Sequence, residues 1–481
     1  MKRFFLILLF VNASSALLFF LRVPAQETKS DPSPAVKAGF QAAYYISPDG
    51  DDTADGSSEH PFATFERAKR AMESGAVRTT YVKAGTYSLP SVLTLTATDS
   101  GVTFAAYPGQ EAVVEGMAEG LSNLVMLKDA TGVTISRLSF INTGLGAAAV
   151  TLQHASNNKI VGNHFANTGE AILLADGASG NTVSGNQMDN SATSAVEVKD
   201  GSNNNVLDSN LINGVDAPNT KGGGFFLHGV NGNKITHNLI ENTAGMGIGI
   251  SNWDKITINI GNIVEYNRVL NADLRSSDSG SIYMLGRSHI DTQSVIGYNF
   301  VDGTGSIHRH SVGIYLDDST SGVRVIGNIV RHVGSDAVQF HGGDNLEVRN
   351  NILDLGPGKA TAALFQSAPA DTGPTNTMLN DTFNQNIIYS TSTKPKLFAY
   401  IEGGRPQISK NLYFNPTGAS MQTEPPTQDT SPVMGDPKFT AASSGNYAFP
   451  QGSAPLPIDF QPIDQTSMGL HPTGDHWYPN P

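Results

Sequence analysis

Asn158-Lys-Ile-Val-Gly-Asn163-His-Phe, Asn181-Thr-Val-Ser-Gly-Asn186-Gln-Met, Asn205-Val-Leu-Asp-Ser-Asn210-Leu-Ile and Asn233-Lys-Ile-Thr-His-Asn238-Leu-Ile are four copies of one phrase. It returns as Gly322-Val-Arg-Val-Ile-Gly-Asn328-Ile-Val and as Asn345-Leu-Glu-Val-Arg-Asn350-Asn351-Ile-Leu. The second asparagine recurs at 163, 186, 210, 238, 267, 299, 328 and 350. That period of roughly 20–32 residues is what stacked coils produce. Each unit has room for two or three short strands and their turns, but not for a pair of helices with their own apolar stripes.

These units predict an all-β chain, a single-stranded right-handed parallel β-helix. One coil cannot bury its apolar side chains alone, so the coils stack and share a continuous core. Asparagine suits the bend because it tolerates the left-handed conformation and hydrogen-bonds local backbone. Stacked asparagines also bond from rung to rung. A leucine-rich repeat would need a Leu-x-x-Leu-x-Leu frame, which the units lack.

The 481 residues are enough for two ordinary domains, yet a solenoid of this length stays one. Fifty glycines and only 15% charged residues suit turns better than helices. A net charge of −13 argues against nucleic acid as a partner. An acidic polysaccharide stays open, since an acidic protein can carry a local basic cleft. Residues 1–25 read as an export signal: Lys2 and Arg3, an apolar stretch from Phe4 to Leu21, then Val23-Pro24-Ala25. The expected location is periplasmic or secreted, free of the membrane once the signal is cleaved. An uncleaved anchor is the alternative. With no cysteine, disulfides and thiolate chemistry are excluded.

Residues 26–43 read as a linker and 44–99 as an N-terminal cap with the first coils. The β-helix spans 100–415, and 416–481 form a C-terminal cap or tail. Within the N-terminal cap, Glu66 to Met72 reads as a short helix capped by Thr64. This opening, with Tyr81-Val-Lys-Ala-Gly-Thr-Tyr87 after it, resembles the N-terminal cap of secreted bacterial β-helix proteins of the pectate-lyase-like superfamily. There, a short helix plugs the first coil and hides its open edge. The stretch from Asp436-Pro437-Lys438-Phe439 to Gly452-Ser453-Ala454-Pro455 resembles the closing segment of the same superfamily.

One strand precedes each asparagine unit: Ala195–Lys199, Gly224–His228, Gly247–Ser251, Ser281–Leu285, Gly313–Asp317 and Ala337–His341. Alternation turns Val196, Val198, Phe225, Leu227, Ile248, Ile250, Ile282, Met284, Ile314, Leu316, Val338 and Phe340 inward. Two columns then face outward. One is Glu197, Phe226, Gly249, Tyr283, Tyr315 and Gln339; the next is Lys199, His228, Ser251, Leu285, Asp317 and His341. Together they predict a polar and aromatic surface strip suited to sugars, walled by longer loops that carry Trp253, Arg275, Asp278, Arg287 and His289.

Ser277-Asp278-Ser279-Gly280-Ser281-Ile282-Tyr283 and Gly313-Ile314-Tyr315-Leu316-Asp317-Asp318-Ser319 resemble motifs of β-helix glycoside hydrolases of the β-xylosidase and α-fucosidase type. His341-Gly342-Gly343-Asp344-Asn345 resembles a third stretch of that group. The resemblance implies hydrolysis of a polysaccharide or oligosaccharide, with Asp278, Asp317 and Asp318 lining the active site. Chemically, hydrolysis needs one protonated carboxyl for the leaving oxygen and one ionised carboxylate. Trp253, Tyr283 and Tyr315 would stack on sugar rings. Arg275, Arg287, His228 and His341 would orient hydroxyls or a uronate carboxylate. No metal or cofactor is expected for this reading. The alternative is a lyase or epimerase on uronates, with Lys199, His228, Tyr283, Tyr315 or His341 as base and calcium on an aspartate cluster. The Arg-x-Pro-x-x-Arg stretch of pectate lyases and the Asp-Pro-His-Asp of alginate epimerases are both missing. A third reading is a non-catalytic glycan-binding or surface structural protein, for which aromatics would matter more than carboxylates.

Overall fold

The computed structural model describes residues 42–116, 121–217, 222–276, 278–305, 310–368, 378–452 and 456–479. The expected signal and nearly all of the linker lie outside these. No helix among the described residues is long and apolar enough to cross a membrane. The chain is a right-handed parallel β-helix of about 12 turns. One sheet stacks fourteen short strands, from Tyr44–Ile46 through Thr182–Ser184 to Gln407–Ser409. A second, of twenty-four strands, receives two segments from most coils, and all named strand pairs are parallel. In two coils those segments fuse around the corner, as His164–Ala175 and Gln187–Lys199.

The asparagines build two buried ladders. In the longer one Asn163, Asn186, Asn210, Asn238, Asn267, Asn299 and Asn328 each donate through Nδ2 to the Oδ1 of the next. The series then continues through Asn351, Asn386 and Asn411 and ends on Asp429. Asn350 is therefore not a member, contrary to the spacing. It takes a left-handed turn at φ 57° and bonds Gln461 instead. A shorter ladder runs Asn158, Asn181, Asn205, Asn233, Asn262. Each amide also donates to a backbone carbonyl and accepts a backbone N–H; Asn238 donates to Leu207 O and accepts from Asn210 N. Asn238→Ala would orphan both groups at full burial. It is expected to cost about 3 kcal/mol, which a denaturant midpoint measures.

The helix spans Phe65–Ser74, and Thr64 caps it by accepting from Arg67 N. Phe65, Ala68, Ala71 and Met72 are buried against the first coils. All twelve residues assigned inward by alternation are buried in the main core.

The C-terminal segment reads as a cap or tail. It runs back along the flank of the solenoid, with Gln461 bonded to Asn350, Gly469 N to Tyr266 O, and Trp477 N to Gly185 O. Trp477 stacks on His164 at 5.3 Å. At Gly185, φ is 64° and a Cβ would lie 2.2 Å from Asp475 O, so only glycine admits the strap there.

Candidate active site

Cross-rung register brings the acidic motifs together. Ser279 pairs with Ser311, Tyr283 with Tyr315 and Leu285 with Asp317, while Leu316 pairs with Phe340. Asp278 and His310 thus precede neighbouring strands, and Asp317 and His341 end neighbouring strands.

Asp317 is the most heavily bonded of the acids. Tyr283 donates its hydroxyl to Oδ2 at 2.5 Å, while Oδ1 lies 2.6 Å from His341 Nδ1 and accepts Asp318 N at 2.8 Å. Asp318 sits in a left-handed turn at φ 36°. Its Oδ2 accepts Arg287 Nε and Nη2 at 2.8 and 2.5 Å, and its Oδ1 lies 3.8 Å from His341 Nδ1. The Arg287 guanidinium also covers one face of Trp253 at 4.8 Å. With Trp253 46% exposed, the pair forms a platform beside Asp318. Asp278 is 69% exposed at its side chain. Its Oδ1 meets His310 Nδ1 at 3.1 Å and Tyr315 OH at 3.4 Å; that hydroxyl is also 3.4 Å from His341 Nδ1. A continuous chain therefore links Asp278 through Tyr315 and His341 to Asp317, with the Asp318 carboxyl beside its end.

The environments push these acids apart. The hydrogen bond from His310 holds Asp278 below the ordinary carboxylate range against partial burial, helped by the charges of His310 and His341 and by Tyr315. Burial, then the charge of Asp317, raises Asp318, and Arg287 offsets only part of this. The bond to Asp278 raises His310. Burial alone would lower His341, but the hydrogen bond and charge of Asp317, with Asp318 behind it, hold it above the usual imidazole value.

Several expected contacts fall elsewhere. Tyr283 and Tyr315 are each 1% exposed, so neither offers a stacking surface. They pack with Phe226, Met246, Leu285 and Val312 in a second apolar layer outside the sheet, and their hydroxyls reach the acids. Gly249 leaves room for this layer, since a Cβ there would lie 2.6 Å from Met246 Sδ. His228 is three rungs from Asp317, about 14 Å at about 4.8 Å per rung, and bonds Glu197 at 3.1 Å. Arg275 pairs with Asp216 rather than joining the acid cluster. His310 escaped the sequence reading, although alignment of Ser311 with Ser279 places it opposite Asp278. Ser277 lies outside the described residues.

Single donor atoms of Asp317, Asp318 and His341 lie within 4.8 Å of one another, close enough for a metal ion. The donor set suits calcium poorly. Calcium prefers six to eight oxygens, whereas here Arg287 faces one carboxylate and an imidazole supplies the third atom.

A family model described as a right-handed β-helix region matches residues 118–269. No curated protein matches the chain. Among solved structures, a protein titled glycoside hydrolase aligns with a TM-score of 0.50 at 11% identity, covering 76% of this chain and 97% of that one. The catalytic domain of a GH87 α-1,3-glucanase in complex with nigerose aligns at 0.47 and 12% identity, covering 80% and 70%. The Streptococcus pneumoniae surface protein and adhesin PfbA aligns at 0.48 and 14% identity, covering 76% and 94%. At 11% identity the first of these shows a shared fold alone. The class is that of right-handed parallel β-helix proteins, with a likeness in fold to glycoside hydrolases.

Proposed function

We propose that the protein is an exported enzyme that hydrolyses glycosidic bonds of a polysaccharide. The observation that carries this reading is the opposed proton affinity of two acids that flank the Tyr315–His341–Asp317 chain: Asp318, raised by burial and Asp317, and Asp278, lowered by His310. Such a split is how one site supplies both an acid and a base. Asp318 protonates the leaving oxygen. Asp278, ionised and exposed, attacks the anomeric carbon or activates the water that does. Asp317, with both oxygens committed, is a positioning residue that holds Tyr283, His341 and the Asp318 turn in place. Trp253 stacks on a sugar ring through its open face.

The test is a glycan panel with products weighed by mass spectrometry. Products carrying an added water support hydrolysis. Unsaturated products mean elimination, and binding without products means a non-catalytic glycan-binding protein. Export has a separate test. N-terminal sequencing of protein from the native host should find the first 25 or so residues removed, and an intact Met1 in the membrane fraction would overturn that expectation.

A further inference from the structure

Used by none of the steps above, a groove of about 530 Å³ is lined by residues 190–192, 214–216, 242, 244, 274 and 275. It crosses four successive rungs: Ser191 is in register with Val215 and Val215 with Thr243, and Arg275 N donates to Ala244 O. Its length is therefore about 14 Å at about 4.8 Å per rung. One end is Arg275, three residues before Asp278. Val215, Ala244 and Leu274 give it an apolar floor. Two exposed asparagine amides line it: Asn190, which donates to Asn167, and Asn242, which donates to Asn213 and accepts from Asn271. Each of these amides has two N–H donors and a two-lone-pair oxygen, more than those bonds use, which leaves capacity for a ligand. The exposed Asp216–Arg275 ion pair bridges over the rung of Ala244.

We infer that this groove binds several consecutive residues of a neutral glycan and leads the chain to Asp278. The inference rests on the hydrolase reading and adds the substrate class to it. The amides of Asn190 and Asn242, two rungs apart, offer donors and acceptors to hydroxyls, and the apolar floor takes sugar C–H faces. The charge pattern selects against uronates. Both arginines that the sequence offers for a sugar carboxylate are already paired, Arg275 with Asp216 and Arg287 with Asp318. A uronate would have to break one of these pairs and leave an aspartate facing its own carboxylate.

The test is affinity electrophoresis of the full chain through gels holding α-glucan, β-glucan, xylan, pectate or alginate, with product analysis on the same polymers. One neutral polymer should retard the protein, and pectate and alginate should not. Arg275→Ala and Asn242→Ala, both at exposed positions, should each weaken that retardation at least tenfold. They should also remove the gain in kcat/KM from the shortest cleaved oligomer to the polymer. Matching melting curves guard against misfolding. Unchanged retardation in both variants, or tighter binding of a uronate polymer, overturns the groove. Cleavage by the parent with variants unaffected sinks the groove and spares the hydrolase. Retardation lost in the variants without any products does the reverse. If no polymer is retarded or cleaved, both readings fall.

Discussion

Replacing Asp278 or Asp318 with asparagine is expected to lower kcat about 10²–10⁴-fold, the range of general acid–base catalysis. An amide neither attacks nor exchanges a proton as a carboxyl does. Asp278 is exposed and its partners lie at 3.1 and 3.4 Å, so Asp278→Asn should melt close to the parent. Asp317→Asn should also lose activity, but with a clear drop in melting temperature, because it disturbs the buried contacts with Tyr283 and His341. The pH profile separates the two reacting acids. A raised Asp318 stays protonated to higher pH, so activity falls as pH rises through its pKa. A lowered Asp278 stays ionised to lower pH, so activity falls as pH drops through its pKa. Arg287 lowers Asp318, so Arg287→Ala should move the basic limb to higher pH. Near-parent turnover in both asparagine variants would end the catalytic assignment and leave the fold untouched.

How much of this was legible in the sequence depends on which physical signal carries each feature. The coil and its register were legible because they rest on local repetition. Asn163, Asn186 and Asn210 sit at one bend, and the alternation in Gly313–Asp317 is strict. Alternation states direction and says nothing about cover. Tyr283 and Tyr315 do point away from the core, as read, yet Phe226, Met246 and Val312 close over them. No local pattern encodes that second layer, because its members come from four rungs. The same limit explains the C-terminal strap. Gly469 and Trp477 dock through their backbone N–H groups onto carbonyls of Tyr266 and Gly185, and Ile458, Phe460 and Met468 pack with Phe300, Ile329 and Ile352, partners too far away in sequence for a local pattern to encode. Asn350 shows a subtler failure. Two adjacent asparagines fit the repeat, and spacing alone cannot tell which one turns inward; only Asn351 completes the ladder. The candidate site was legible as a set of residues, Asp278, Asp317, Asp318 and His341. Its connections through His310, Tyr315 and Arg287 needed the cross-rung geometry.

Ile314→Asp is expected to destabilise the protein by about 4 kcal/mol or more, a large share of the roughly 5–15 kcal/mol that holds a typical domain folded. Ile314 is fully buried and stacks in register between Ile282 and Val338. The substitution removes apolar burial and places a carboxyl where the column above and below is aliphatic. A solenoid spreads such damage through nearest-neighbour contacts, because each rung is stabilised mainly by the two beside it. Rungs 279–286 and 336–341 should therefore lose amide protection first in hydrogen exchange, with Asp317 and His341 lost from their places in the same step. The neighbouring Tyr315→Phe supplies the contrast. It keeps the ring in the outer layer and removes only the hydroxyl that touches Asp278 and His341, so it should melt within about 1 kcal/mol of the parent while shifting the pH profile. If Ile314→Asp melted like the parent, the inward assignment of that column would be wrong, and with it the placement of Asp317 at the mouth of the site.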